Sequence, residues 1–96
     1  MPLTGKQRRE LRALGHHLEP VVIVGQSGVS EGIIGAVNQA LQDHELIKVK
    51  LNEGPEERHD AAEKLAEGAG AHLVQLLGRT VLLFKKREED SKFPKF

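Results

Sequence analysis

The chain has 96 residues, no cysteine and a formal charge of zero, with 14 basic and 14 acidic side chains. That length makes one domain, able to bury roughly 60–65% of the surface its unfolded chain exposes; the lack of cysteine excludes a disulfide framework and a thiolate metal site, and the neutral balance excludes a generic polycation. No apolar run reaches the length of a membrane span and none follows Met1 to Lys6 as a secretory signal would, so a cytoplasmic protein with no membrane partner is expected.

Thr4 and Gln7 stand three residues apart, the spacing of a capping box, and predict a helix from there to about His17. Leu11, Leu14 and Leu18 mark its core stripe. Arg8, Arg12 and His16 recur every four residues along another face, with Lys6 and Arg9 beside them, and form a basic ridge. Val21 to Val24 is unbroken by polar residues and β-branched throughout, the pattern of a central strand covered on both faces. It runs into Gly25-Gln26-Ser27-Gly28, a Gly-x-x-Gly turn that opens a second helix capped by Ser30. Ile33, Ile34, Val37 and Leu41 are that helix's buried stripe, and Gly32 and Gly35 are read as places where it packs closely on the sheet.

Leu46 to Leu51 alternates as a strand, with Ile47, Val49 and Leu51 on one face and Lys48 and Lys50 on the other, less covered face. Gly54-Pro55 starts a third helix with Ala61, Ala62, Leu65 and Ala66 inward, ending near Gly68 to Gly70. Two apolar runs, Ala71 to Leu77 and Val81 to Phe84, flank Gly78-Arg79-Thr80 and predict a hairpin. The fold class is therefore α/β, one compact domain over residues 1–86 in the order α-β-α-β-α-β-β, its four strands forming a mixed sheet packed with helices. Residues 87–96 are charged and without a period, and read as a flexible tail.

Charge is unevenly spread. Residues 1–17 carry Lys6, Arg8, Arg9 and Arg12 against Glu10 alone, and residues 79–96 are again basic, whereas Glu53, Glu56, Glu57, Asp60, Glu63 and Glu67 make residues 53–78 acidic. Such polarity can orient a bound polyanion. In the turn, glycines at 25 and 28 remove Cβ atoms where a phosphodiester would approach the main chain, and a helix N-terminus favours negative charge. Two readings stand for these residues: the glycines hold a phosphate or only allow a tight turn, and the basic ridge binds RNA or is a solvated face. Lys48 and Lys50 are weaker candidates, since lysines also protect sheet edges.

The five histidines have no ligand spacing, no Ser-His-Asp or paired-carboxylate arrangement can be argued, and no nucleotide-binding fingerprint is present. Neither an enzyme nor a metal site nor a cofactor is expected. Phe84 is the only aromatic in a predicted strand, with Phe93 and Phe96 in the tail, so recognition by backbone and shape fits better than base stacking.

Four segments carry a resemblance: Leu3-Thr4-Gly5-Lys6-Gln7-Arg8-Arg9, the strand with Gly25-Gln26-Ser27-Gly28, His44-Glu45-Leu46-Ile47-Lys48-Val49-Lys50, and Val74-Gln75-Leu76-Leu77-Gly78 leading to Val81-Leu82-Leu83-Phe84-Lys85. In this order they closely resemble the CRM domain (chloroplast RNA splicing and ribosome maturation), above all its stand-alone bacterial YhbY form. The resemblance covers about residues 3–86. It implies a fold similar to the C-terminal domain of translation initiation factor three, RNA binding without catalysis, and association with precursors of the large ribosomal subunit. The family's turn is typically Gly-Lys-x-Gly; with Gln26 here, phosphate capture rests more on backbone N–H groups and the neighbouring arginines. The expected RNA-binding set is Gly25, Gln26, Ser27, Gly28, Lys6, Arg8, Arg9, Arg12, His16, Lys48 and Lys50. The expected partner is structured ribosomal RNA in the pre-ribosomal large subunit, bound by a monomer; the alternative is a protein-interaction module that recruits an assembly factor.

Overall fold

The computed structural model describes residues 2–52 and 57–96. Its elements are α1 (Gly5–Gly15), β1 (Pro20–Val24), α2 (Glu31–His44), β2 (Leu46–Leu51), α3 (Arg58–Ala69), β3 (His72–Leu77) and β4 (Thr80–Phe84). This is the expected order, and the strands form one mixed sheet in the order β1-β2-β4-β3. β1 runs parallel to β2, with α2 as the crossover that a parallel pair requires; β2 and β4 are antiparallel, as are β3 and β4.

Local chemistry sets the boundaries. Thr4 accepts from the Gln7 N–H at 3.1 Å while the Gln7 side chain accepts from the Thr4 N–H at 2.9 Å, so the capping box is complete. Ser30 caps α2 by accepting from the Ile33 N–H at 3.2 Å. Gly70 ends α3 in the left-handed conformation, and Gly78, at φ 59°, makes the two-residue turn of the β3–β4 hairpin. The expected start at Gly54-Pro55 lies outside the described residues; the helix is seen from Arg58, with Glu57 as its cap.

The sheet carries apolar side chains on both faces. Val22, Val24, Ile47, Val49, Leu51, Val81 and Leu83 pack under α2 and α3, and Leu46, Val74, Leu82 and Phe84 pack under Leu11 of α1. β2 shows the predicted alternation, but it lies inside the sheet rather than at its edge.

Three sequence expectations are corrected. β1 is an edge strand with one bare face: Val21 is 53% and Ile23 57% exposed, because α1 lies over β2, β3 and β4 instead. A continuous apolar run cannot by itself distinguish a strand covered twice from one covered once. Leu14 of α1 (52%) and Leu18 (38%), which lies beyond the end of the helix, are also exposed, and the face turned to the sheet holds Leu11 and Gly15 with Arg8 and Arg12 half-buried beside them. Finally, Gly32 and Gly35 are not close-packing sites, since a Cβ there would meet nothing nearer than 3.8 Å. The close approaches occur at Gly15, where a Cβ would lie 2.6 Å from Leu82 Cδ1, and at Gly68, 2.6 Å from Ile34 Cδ1.

Residues 87–96 form no regular element yet fold back on the domain. The carboxylate of Glu45, fully buried between α2 and β2, accepts from the Arg87 N–H (2.9 Å), the Ser91 hydroxyl (2.6 Å) and the Lys92 N–H (2.6 Å), and its Oε1 lies 3.5 Å from the Arg87 guanidinium. Phe93 then packs edge-to-face on Phe84 and Phe96 packs tilted against it, with ring centroids 5.1 and 5.7 Å away.

Candidate nucleic-acid interface

β1 ends where the Val24 carbonyl accepts from the Asn52 N–H at 2.9 Å, and the chain turns at once: the Gly28 N–H donates to the Gly25 carbonyl at 3.0 Å. Gln26 and Ser27 are left exposed at the tip. The two glycines differ in kind. Gly28 is buried with φ 72°, a conformation that side chains resist, so the turn itself requires it. Gly25 is exposed, has no positive φ, and a Cβ on it would meet nothing within 4 Å. The fold does not need a glycine at 25.

The helix that follows is less electropositive than its sequence suggests. Ser30 occupies the Ile33 N–H, and Glu31 places a carboxylate in the first turn, opposing the field of the helix end. The N–H groups of Glu31 and Gly32 have no acceptor inside the helix by geometry, and remain the donors a phosphate could use. Gln26 and Ser27 add neutral side-chain donors beside them.

The basic ridge of α1 divides. The Arg8 guanidinium donates to the Leu73 carbonyl at 2.7 Å, tying α1 to β3, the sheet edge opposite β1. Arg8 therefore serves docking of the helix first. Arg12 is half-buried, whereas Lys6, Arg9 and His16 are exposed. On the sheet face that α1 shares, the Lys48 ammonium donates to the His16 carbonyl at 3.3 Å and covers the end of α1. Lys50 is exposed and pairs in register with Ile23, two residues before Gly25. The predicted set is thus a near group, with Lys50 beside the turn and Lys48 and His16 further down the face, and a far group on α1 reaching toward β3.

Two cations outside that set stand at the same end of the sheet as the turn. Arg79 donates from its guanidinium to the Asn52 carbonyl, and its own carbonyl accepts from the Leu51 N–H at 2.7 Å; Asn52 is in turn bonded to Val24. Arg58, at the start of α3, donates to the Gly78 carbonyl at 3.2 Å. Both are exposed. An arginine in a tight hairpin turn was the available sequence signal for Arg79; Arg58 was masked by the acidic residues around it. On the outer side of α3, His59, Asp60 and Glu63 bring ligand atoms within 4.8 Å of one another, with His59 Nδ1 3.5 Å from Glu63 Oε1. All three are exposed, and the i,i+4 pair is of a kind common on helix surfaces.

Comparison with known proteins agrees with this architecture. The solution structure of the hypothetical protein SAV1595 from Staphylococcus aureus superposes with a TM-score of 0.79 at 33% identity, covering 94% of this chain and 95% of that one. The chain is 44% identical over 89 residues to the "Probable RNA-binding protein YqeI" of Bacillus subtilis, covering 92% of this chain and 93% of that protein. It is 45% identical over 94 residues to a "Probable RNA-binding protein" of Methanocaldococcus jannaschii, covering 95% of this chain and 69% of the relative. Residues 3–85 match the CRS1 / YhbY (CRM) domain, the span that holds the Gly25–Gly28 turn and all seven elements, and the chain therefore belongs to that family.

Proposed function

We propose that this chain is a non-catalytic, monomeric RNA-binding protein that docks structured ribosomal RNA, acting in the cytoplasm during assembly of the large ribosomal subunit. The phosphate backbone is held at the Gly25–Gly28 turn by main-chain N–H groups with Gln26 and Ser27, and by Lys50 and Arg79 beside it. Lys6, Arg9 and Arg12 of α1, with His16 and Lys48, extend the electrostatic footprint. Arg8 contributes through the position of α1. RNA-binding relatives that match nearly the whole chain support this reading. The observation that carries it is Gly25, an exposed glycine that neither backbone conformation nor packing explains, in a turn whose tip residues Gln26 and Ser27 are exposed.

The test is a titration of the chain with a structured large-subunit ribosomal RNA fragment and an unstructured RNA of equal length, across salt concentrations. Phosphate-led docking gives affinity that falls steeply with salt and favours the structured RNA. Q26D/S27D, which adds two carboxylates at exposed positions without straining the turn, is expected to weaken binding at least tenfold, an effect on the order of 1.4 kcal/mol. Binding by the folded double variant at the original affinity would remove the turn from the interface.

A further inference from the structure

Beyond phosphate, the turn has an apolar approach. Val21 and Ile23 lie on the bare face of β1, and the strip continues into a groove of about 820 Å³ lined by Leu14, Leu18, Val21, Leu46, Phe93 and Phe96. Exposed apolar side chains on an edge strand favour unwanted pairing, and proteins usually place charges there. Here the strand keeps them. The cations stand around the strip instead: Lys50 and Lys48 on β2 at one side, Lys92 and Lys95 at the groove, against Glu19.

We infer that the bare face of β1 seats the bases of an unpaired RNA stretch whose backbone passes the Gly25–Gly28 turn, so that the RNA recognised presents single-stranded nucleotides beside its folded part. This rests on the RNA-binding reading above. Three features favour nucleic acid as the occupant. The strip runs directly into the turn, with only Val24 between Ile23 and Gly25. Its rim is cationic, matching a phosphate backbone laid along β2. Val21 and Ile23, alternate residues of a strand, stand about 6.6 Å apart, close to twice the 3.4 Å rise of a single strand, so the two side chains match the spacing of every second base. Unpaired bases are the form in which RNA sequence is read by proteins. The seat is aliphatic, so it favours apolar contact over aromatic stacking and discriminates weakly among bases.

The test uses the whole chain, a single-stranded oligoribonucleotide, and an abasic ribose-phosphate oligomer of the same length. The base-bearing strand is expected to bind on the order of tenfold tighter, with the Val21 and Ile23 methyl NMR signals shifting for that strand alone. V21T/I23T keeps β-branched residues at exposed positions, and should lose this preference while its affinity for the abasic strand and its salt slope stay unchanged. Equal binding of the two strands, or an unaltered preference in V21T/I23T, overturns the base seat and leaves the phosphate reading standing. Failure of both strands and of the structured RNA to bind at low salt overturns both readings. Methyl shifts that depend on protein concentration without RNA assign the face to a second copy of the chain, and also overturn the base seat.

Discussion

Gly25 and Gly28 look alike in the sequence, and only their surroundings separate them. At φ 72°, any other side chain at 28 crowds the following carbonyl, so Gly28→Ala is expected to cost about 1–2 kcal/mol in urea denaturation. Gly25→Ala, whose new methyl points into open space, should change stability by less than about 0.5 kcal/mol. If a phosphate rests on the main chain at 25, that same methyl stands in its way, and RNA affinity should fall roughly tenfold, a loss near 1.4 kcal/mol. A stable Gly25→Ala protein that binds RNA as the unaltered chain does would place the phosphate elsewhere. The motif was legible in the sequence; the division of labour inside it was not, because a backbone dihedral and an empty volume leave no mark on residue type.

Helix α1 shows the same limit one scale up. Leu11, Leu14 and Leu18 fit a helical stripe, yet the helix is rolled so that Arg8, Leu11, Arg12 and Gly15 meet the sheet. Packing decided this: only at Gly15 can the helix backbone come close enough for Leu82, and the roll lets Arg8 satisfy the Leu73 carbonyl while its stem covers apolar surface. Hydrophobic period sees neither a missing side chain nor a distant carbonyl. The order of elements, the caps at Thr4 and Ser30 and the hairpin at Gly78 were legible because each is decided within a few residues. The placement of β1 at the edge was not, since strand order depends on pairings across the chain. Arg8 and Arg9 of α1 should therefore separate in experiment. Arg8→Ala is expected to cost about 1–2 kcal/mol of stability, the loss of a part-buried charge-assisted hydrogen bond. Arg9→Gln, exposed, should leave stability unchanged and lower the salt slope of RNA binding by about one per lost phosphate contact. An Arg9→Gln protein with the original slope would take the outer face of α1 out of the interface.

For the whole molecule, the C-terminal segment is tied to the rest of the domain by one acidic group, Glu45. Residues 87–96 gave no periodic signal because their order comes from a partner at position 45, and what they complete is the aromatic cluster of Phe84, Phe93 and Phe96. Burial pushes the Glu45 carboxyl toward the neutral form, but the hydrogen bonds from Ser91, Arg87 and Lys92 and the Arg87 charge outweigh it, and hold the pKa below the ordinary value of 4.5. A folded-state pKa that is depressed contributes stability that is fully present above the unfolded value and is lost as pH falls through the folded one. The clasp should accordingly be intact at neutral pH and weaken only below about 4.5. Glu45→Gln removes the charge but keeps the shape. At neutral pH it is expected to cost about 2 kcal/mol, measured by urea denaturation followed in the far-UV, with the difference from the unaltered chain shrinking as the solution is acidified past 4.5. Hydrogen exchange gives the local readout, because the Arg87 and Lys92 amides donate to this carboxylate and should lose protection together in the variant. If those amides keep their protection while stability falls, the cost lies at the α2–β2 junction and the tail is held by its phenylalanines alone.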